Sequence, residues 1–507
     1  MGRGRRVAVA GVLGVALTAA VLSPAWAEPS PGKSGSGTPQ PPTAAGRKAV
    51  ATGGAVLAAS TTGAEGMPTG AGLQRDLAAV LQDKALGTLS FAVTDGATGQ
   101  LLYGAGENNP ATPASTTKLL TALAALELIP GDSRLTTKVV KGAAPDEIVL
   151  VGGGDPTLST LPADQVKVGG LPVDAETAPA TVADLAKRTA AALKSAGVAS
   201  VKLGYDTAMY TGPLNHPQHD AMNIATVTPL MVNEGRIDPK STDEGPARVF
   251  DPAYQAAEAF AAALGAEGVA VQGKPKAGTA AAGAQQLAAV ESPTVARLIE
   301  RLLTTSDNTL SEAMARQVAI AAQQPVSFDG ASAATRQTLE KLGVPMAGVV
   351  LHDGSGLHTG NQISPLVLSK VLALAASPEH PRLRPVLTGL PIAGFTGTLL
   401  GRFGAATRAQ NGIGIVRAKT GTLVQRHLHP GRHRARRRGA GARLRPDDPH
   451  HRSSGRGPGG RRPGRGATRQ LRVPLGRRSR TTVRGSGNGD ADLVQGDPCV
   501  AGQARSQ

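Results

Sequence analysis

The sequence predicts an α+β chain in which a mixed domain is inserted into another and a disordered tail follows. Three observations lead there. Apolar residues recur at helical spacing in several separate stretches, and short strand-like runs bounded by Gly and Pro lie between them. The composition then changes abruptly at Val424.

The elements follow in chain order. Arg3, Arg5 and Arg6 precede an apolar run from Val7 to Leu22, and Ala25-Trp26-Ala27 sets small residues where a signal peptidase reads. Residues 1–27 are therefore expected to be a secretory signal peptide cleaved after Ala27. The run is short for a membrane span of about 20 residues. The mature chain is expected in the cell envelope or secreted, with no stable membrane span. Residues 28–70, rich in Pro, Gly, Ser, Thr and Ala, read as a flexible linker.

A helical pattern begins at Leu73 and runs through Leu77, Val80, Leu81 and Leu86. Phe91 to Asp95 and Leu101 to Tyr103 flank Gly96-Ala97-Thr98-Gly99, as two strands joined by a turn would. From Lys141 to about Ala284, strand-like pieces such as Ile148 to Val151 alternate with helical stretches at Thr181–Ala196 and Ala256–Leu264. Further helices are expected over Thr294–Ala321, with a break at Ser306, and over Pro365–Ala376. The division that results is a main domain in two halves, 71–140 and 291–423, around an insertion at 141–290.

Charge at first points elsewhere. A net charge of +17 is what a nucleic-acid or membrane-surface binder carries. Residues 424–507, however, hold 20 arginines and five acids, a net +15, which leaves only +2 for the preceding 423 residues. This 84-residue tail has no Lys and no aromatic residue. Arginine without aromatic stacking partners does not favour specific nucleic-acid binding, and such a segment cannot bury a core. Cys499 is the chain's single cysteine, so no intramolecular disulfide is possible. His433, His450 and His451 lie in the same tail and read as basic low-complexity sequence, not as metal ligands.

Three short motifs carry chemistry. In Ser115-Thr116-Thr117-Lys118, a Ser and a Lys three apart at a helix start share one face. A serine hydroxyl needs an adjacent base to act as a nucleophile, and a lysine of lowered pKa can serve. In Ser306-Asp307-Asn308, a hydroxyl that can relay a proton sits two positions from a carboxamide that can hold a substrate amide. In Lys419-Thr420-Gly421-Thr422, a Lys and a Thr at a strand edge can bind a carboxylate, and Gly421 leaves room for substrate backbone. Each motif alone is weak. Together, in this order, they form the set found in penicillin-binding proteins and serine β-lactamases.

With these motifs the chain resembles the exported D-alanyl-D-alanine carboxypeptidase/endopeptidases, the class C low-molecular-mass penicillin-binding proteins. Leu150 to Leu158 (LVGGGDPTL), Asp353-Gly354-Ser355-Gly356-Leu357, Leu390 to Gly394 and Gly397-Thr398-Leu399 extend the resemblance over roughly Leu73 to Leu423. The 191 positions between Ser115 and Ser306 fit a family that carries inserted domains there, unlike typical class A β-lactamases. The resemblance implies a penicillin-binding/serine β-lactamase-like transpeptidase fold, with an antiparallel sheet flanked by helices.

It also implies a reaction. Ser115 would attack the penultimate carbonyl of a peptidoglycan stem peptide ending in D-Ala-D-Ala, while Lys118, kept neutral in part by Lys419, takes its proton. Ser306 would pass a proton to the leaving amine, and Asn308 would hold the substrate amide. Lys419 and Thr420 would bind the terminal carboxylate, and the N–H groups of Ser115 and Thr422 would form the oxyanion hole. Penicillins and other β-lactams would acylate the same serine. No metal or organic cofactor is implied. Asp307 and Glu312 are expected in supporting roles, and Gly354-Ser355-Gly356 reads either as the loop that shapes the site or as a structural turn. The alternatives are a β-lactamase-like hydrolase or an inactive penicillin receptor.

The resemblance stops after Leu423, where the family continues with antiparallel strands and a helix. Gln425 to Arg434 can be written CAA CGG CAC CTC CAC CCT GGC CGG CAT CGT, which one base later encodes Asn-Gly-Thr-Ser-Thr-Leu-Ala-Gly-Ile-Val. The tail thus reads as out of frame, and the strand bearing Lys419 is expected to become an exposed edge.

Overall fold

The computed structural model describes residues 8–13, 66–423 apart from 242, 244, 405, 406 and 408, and 500–505. The rest of the expected leader and linker, and residues 424–499, lie outside the described residues.

Two sheets and a group of helices build the described chain. The first sheet is wholly antiparallel. It contains β1 (Ala8–Leu13), β2 (Thr88–Thr94) and β3 (Leu101–Ala105). Before β2 lies α1 (Gly70–Leu81), and after β3 the buried helix α2 (Lys118–Leu128). The second sheet opens with β4 (Arg134–Lys141) and β5 (Glu147–Val151). A small hairpin, β6 (Lys167–Val168) with β7 (Leu171–Pro172), leads to α3 (Val182–Ser195). There follow β8 (Ser200–Asp206), α4 (Pro252–Ala266), β9 (Ala270–Val271), β10 (Lys276–Ala277) and β11 (Gln286–Thr294). The chain then returns through α5 (Val295–Thr305), α6 (Asn308–Ala321), α7 (Phe328–Lys341) and α8 (Pro365–Ala376) to β12 (Ala418–Thr422). The last strand described is β13 (Val500–Arg505).

The second sheet has the order β10-β8-β5-β4-β11, with β9 also on β8. It mixes parallel pairs (β5 with β8, β8 with β10) and antiparallel ones (β4 with β5 and β11). Its core joins Val139, Ile148 and Leu203 to Leu185 of α3 and Phe260 of α4. Its first and last strands in sequence, β4 and β11, are neighbours in the sheet, so the sheet spans residues 134–294.

The main core is helical and contains no aromatic side chain. Every residue of α2 from Lys118 to Leu126 is buried, as expected of a helix surrounded on all sides. Against it α5 presents Val295, Leu298, Ile299, Leu302 and Leu303, a single stripe at helical spacing. Thr294 caps α5 by accepting the Arg297 N–H, and Ser364 caps α8 with Pro365 at its first turn. The helical run expected over 294–321 divides into α5 and α6 at Ser306-Asp307.

The first sheet runs β12-β1-β13-β2-β3. Lys419 of β12 lies opposite Val12 of β1, and Thr422 opposite Val9. The strand bearing Lys419 is the terminal strand of this sheet, but the edge expected to lie bare is paired on one side. Its row of N–H and C=O groups finds partners in a segment that the sequence assigns to the leader. Within 424–507, the described residues 500–505 pair with both β1 and β2.

One glycine sets the approach of two loops. Gly356 has φ +82°, and a Cβ placed there would stand 1.8 Å from the Ala114 carbonyl oxygen, next to Ser115. Gly356→Ala combines a disfavoured backbone region with a backbone clash, so it is expected to cost more than about 2 kcal/mol. Thermal or urea denaturation checks this: a clearly lowered midpoint is expected.

Candidate active site

Ser115 lies on a 3-10 turn, Ala114–Thr117, that leads straight into α2, whose first residue is Lys118. Lys118 Nζ is 3.1 Å from Ser115 Oγ. The same nitrogen donates to Asn308 Oδ1 and to the Ser355 carbonyl oxygen, each at 2.6 Å. These two oxygens can only accept. A neutral amine has two hydrogens and one lone pair, so satisfying both acceptors leaves the lone pair for the Ser115 hydroxyl. Burial lowers the Lys118 pKa to about 8, against the opposing pull of Asp353, Asp307 and Glu312.

Asn308 is held at its other end, where Nδ2 donates to the Asn223 carbonyl at 3.0 Å. That contact turns Oδ1 toward the lysine. Ser306 ends α5 in the left-handed conformation, φ 59°, and Asp307 caps α6 by accepting the Leu310 N–H at 2.7 Å. The sharp turn between two capped helices presents Ser306 beside Asn308, whose Oδ1 meets the same Lys118 nitrogen as Ser115 Oγ.

Across from them, Lys419 is fully buried and donates to Ser306 Oγ at 2.7 Å and to the Thr420 carbonyl at 2.8 Å. Burial drives its pKa well below the ordinary lysine value, and the charges of Lys118 and Arg402 push it further. Burial is the largest cause for both lysines, and the mutual repulsion of Lys118 and Lys419 disfavours two charges in this site together. The Thr420 hydroxyl donates to Thr398 Oγ1 at 2.9 Å, Gly421 is buried and Thr422 is exposed at the strand end. Ser115, Lys118 and Asn308 thus form one hydrogen-bonded group and Ser306 with Lys419 a second, joined through the Ser306-Asp307-Asn308 turn, with Thr420, Gly421 and Thr422 continuing along the Lys419 strand.

Contacts that spacing does not reveal complete the site. The Ser355 and Asn223 groups are backbone carbonyls, and Thr398 lies on a separate turn. Behind Asp307, Glu234 is buried and pairs with Arg301 and with Arg236 (2.6 Å), while the Glu234 carbonyl accepts from Arg248 at 2.6 Å. Burial opposes ionisation of Glu234, but Arg301, Arg236 and Arg248 outweigh it and hold its carboxyl far below the usual range. Arg236 also reaches Asp307 at 3.9 Å. Among the described residues, His216, Glu312 and Asp353 bring three possible metal-ligating atoms within 4.8 Å. Both Asp353 oxygens, however, already accept hydrogen bonds from N–H donors, among them His358 N–H and Asn361 Nδ2. The group is a hydrogen-bonded network.

The D-Ala-D-Ala carboxypeptidase 3 (S13) family matches residues 73–247 and 244–425. The chain belongs to this family. The extent agrees with the resemblance over Leu73 to Leu423, and it makes the chain a serine peptidase, a hydrolase of the D-alanyl-D-alanine carboxypeptidase class, with the function of a peptidoglycan peptidase. A carboxypeptidase of Mycobacterium tuberculosis is 36% identical over 365 residues, which is 70% of this chain and 75% of that one. The D-alanyl-D-alanine carboxypeptidase of Actinomadura sp. is 29% identical over 416 residues, 69% of this chain and 76% of that one. In fold, the S13 chain is similar to penicillin binding protein 4 (dacB) from Haemophilus influenzae, at a TM-score of 0.51 and 20% identity, covering 66% of this chain and 84% of that one. The expected penicillin-binding fold is thereby established. Among the described residues, no helix is long and apolar enough to cross a membrane.

The arginine cage around Glu234 makes a prediction about this S13 site. Glu234→Gln keeps the shape but leaves Arg236 and Arg301 without their countercharge, so a loss of about 3–5 kcal/mol is expected. Urea denaturation at neutral pH measures it. An unchanged midpoint would mean that the cage does not hold the Ser306-Asp307 turn.

Proposed function

We propose that the chain is an exported D-Ala-D-Ala carboxypeptidase/endopeptidase that cleaves peptidoglycan stem peptides through an acyl-enzyme on Ser115 and is acylated by β-lactams at the same atom. The observation that carries this reading is the contact of Ser115 Oγ with a buried lysine whose remaining neighbours are two pure acceptors.

In the first half-reaction Ser115 Oγ attacks the penultimate carbonyl carbon and its proton passes to Lys118 Nζ. The oxyanion is met by the N–H groups of Ser115 and Thr422, an interaction of the kind worth about 3 kcal/mol per donor. The C–N bond then breaks. Ser306 gives its proton to the departing amine of D-Ala and recovers one from Lys118, which so returns to the neutral amine, while Lys419 holds the Ser306 hydroxyl at 2.7 Å. Lys419 and Thr420 hold the terminal carboxylate, and Asn308 the substrate amide. In the second half-reaction water attacks the ester, gives a proton to Lys118, and Ser115 leaves as the free hydroxyl.

Export carries a structural consequence. Cleavage after Ala27 removes Ala8–Leu13, the strand that pairs with β12. This observation favours the second reading, a penicillin receptor with little turnover, for a chain processed in that way. D-Ala release from a pentapeptide separates the readings. Steady release supports the carboxypeptidase, stable acylation without release supports the receptor, and rapid release of hydrolysed β-lactam supports a β-lactamase.

Two outcomes are expected. Ser115→Ala, folded as judged by circular dichroism, should take up no fluorescent penicillin; covalent label on that variant overturns the assignment. The acylation rate should rise with pH through about 8, because only the deprotonated Lys118 can accept the serine proton. A rate that is flat between pH 6 and pH 9 contradicts Lys118 as the base.

A further inference from the structure

We infer that His216, which lies far from both catalytic serines in sequence and within the inserted segment, is a positioning residue for the base Lys118. This rests on the acyl-enzyme reading above and extends it.

The route is a short series of hydrogen bonds between buried groups. His216 is fully buried, and its Nε2 lies 2.9 Å from Asp353 Oδ2. The other ring nitrogen, Nδ1, accepts the Gln218 N–H at 3.0 Å, so Nε2 carries the hydrogen and donates it to the carboxylate. Asp353 is gripped from the far side by Asn361 Nδ2, which donates to Oδ1 at 2.6 Å. Oriented in this way, Asp353 Oδ1 accepts the Gly356 N–H at 3.0 Å.

That last N–H belongs to the same peptide unit as the Ser355 carbonyl. In a planar trans peptide the N–H and C=O point in opposite directions. Fixing the N–H on Asp353 therefore fixes the direction of the C=O, and the C=O is what Lys118 Nζ contacts at 2.6 Å. The preceding peptides are pinned as well. Glu312 accepts the N–H groups of Gly354 and Ser355, and the Gly354 carbonyl accepts from Thr121 and Ser311. The loop can shift only if Asp353 does, and His216 is the side chain from the inserted segment that holds it. Phe328 packs edge-on against the imidazole, with ring centroids 5.4 Å apart, and leaves it little freedom to turn.

Without the His216 N–H, Asp353 Oδ2 keeps only the His358 N–H at 2.7 Å and the Ser355 hydroxyl at 3.2 Å; the carboxylate settles toward them, the aim of the Ser355 carbonyl shifts and the lysine lone pair faces Ser115 Oγ less squarely. Misplacement of this order costs about 10- to 100-fold in rate. The cost falls on the acylation rate constant and not on penicillin binding, since His216 does not reach the carboxylate-binding residues Lys419 and Thr420.

The test is stopped-flow acylation of the full chain by a fluorescent penicillin, which yields the first-order acylation constant, the dissociation constant and the final label per chain. For His216→Leu the expected result is full final label, an unchanged dissociation constant and an acylation constant lowered about tenfold or more. His216→Gln, whose amide nitrogen stands where Nε2 stood, should restore most of the rate. His216→Asn, whose shorter amide cannot reach Asp353, should not. A purely structural role would instead lower the final label while the remaining active chains acylate at the normal rate, and that result overturns the inference. If His216→Leu does not fold, the comparison of Gln with Asn decides, and equal rates for those two overturn it. Failure of the unaltered chain to acquire label would sink the acyl-enzyme reading itself, whereas normal acylation by all three variants sinks only the role of His216.

Discussion

The site depends on one buried amine. Lys118 Nζ is enclosed at the start of a helix that has no exposed face between Lys118 and Leu126, and it is met by three oxygens from three separate parts of the chain. An isolated ammonium in such a place is unfavourable, and the protein lessens that cost by lowering the pKa instead of supplying a directly bonded carboxylate. Asp353, Asp307 and Glu312 stand close enough to pull the pKa upward but do not bond the nitrogen. The balance leaves a lysine that ionises near neutrality, with its direction set by acceptors. Lys419 is burdened more heavily, since it is buried and has Lys118 and Arg402 as like-charged neighbours. Two lysines of unequal proton affinity flank one serine pair, which is what a reaction needs when it takes a proton from one hydroxyl and returns one through another.

The inserted segment takes part in this arrangement. Its Asn223 carbonyl fixes the flip of the Asn308 amide, its Glu234 gathers the arginines behind Asp307, and its His216 anchors the Asp353 loop. These contacts tie a region with its own sheet and its own hydrophobic core to the helices that carry the motifs. Loss of that region would therefore be felt at the lysine and not merely at the surface.

Much of this was legible in the sequence. Pro365–Ala376 is the helix that its apolar spacing and its Ser-Pro start both predict. The strands around Gly96–Gly99 and the helices near 182 and 252 fall within a few residues of their expected positions. The three motifs converge because each has side chains whose chemistry is evident from residue type. What escaped were contacts made by backbone, such as the Ser355 and Asn223 carbonyls, which no residue type announces. His216 escaped as well, since a lone histidine more than a hundred residues from Asp353 leaves no local pattern. The pairing of Ala8–Leu13 with β12 was equally hidden, because an apolar run at a chain start reads first as a leader. The net charge misled in the opposite direction, since it describes residues 424–507 and not the catalytic body.

The protonation of Lys118 decides whether Ser115 has a base, and it can be read directly. In chain labelled with 13C at lysine Cε, the Lys118 resonance, assigned by its loss in Lys118→Arg, is followed by NMR from pH 6 to pH 11. A midpoint near the value of about 8 that burial imposes is expected. A midpoint at the ordinary lysine value of 10.5 would contradict it, since Lys118 would then be an ammonium at neutral pH with no lone pair to offer Ser115.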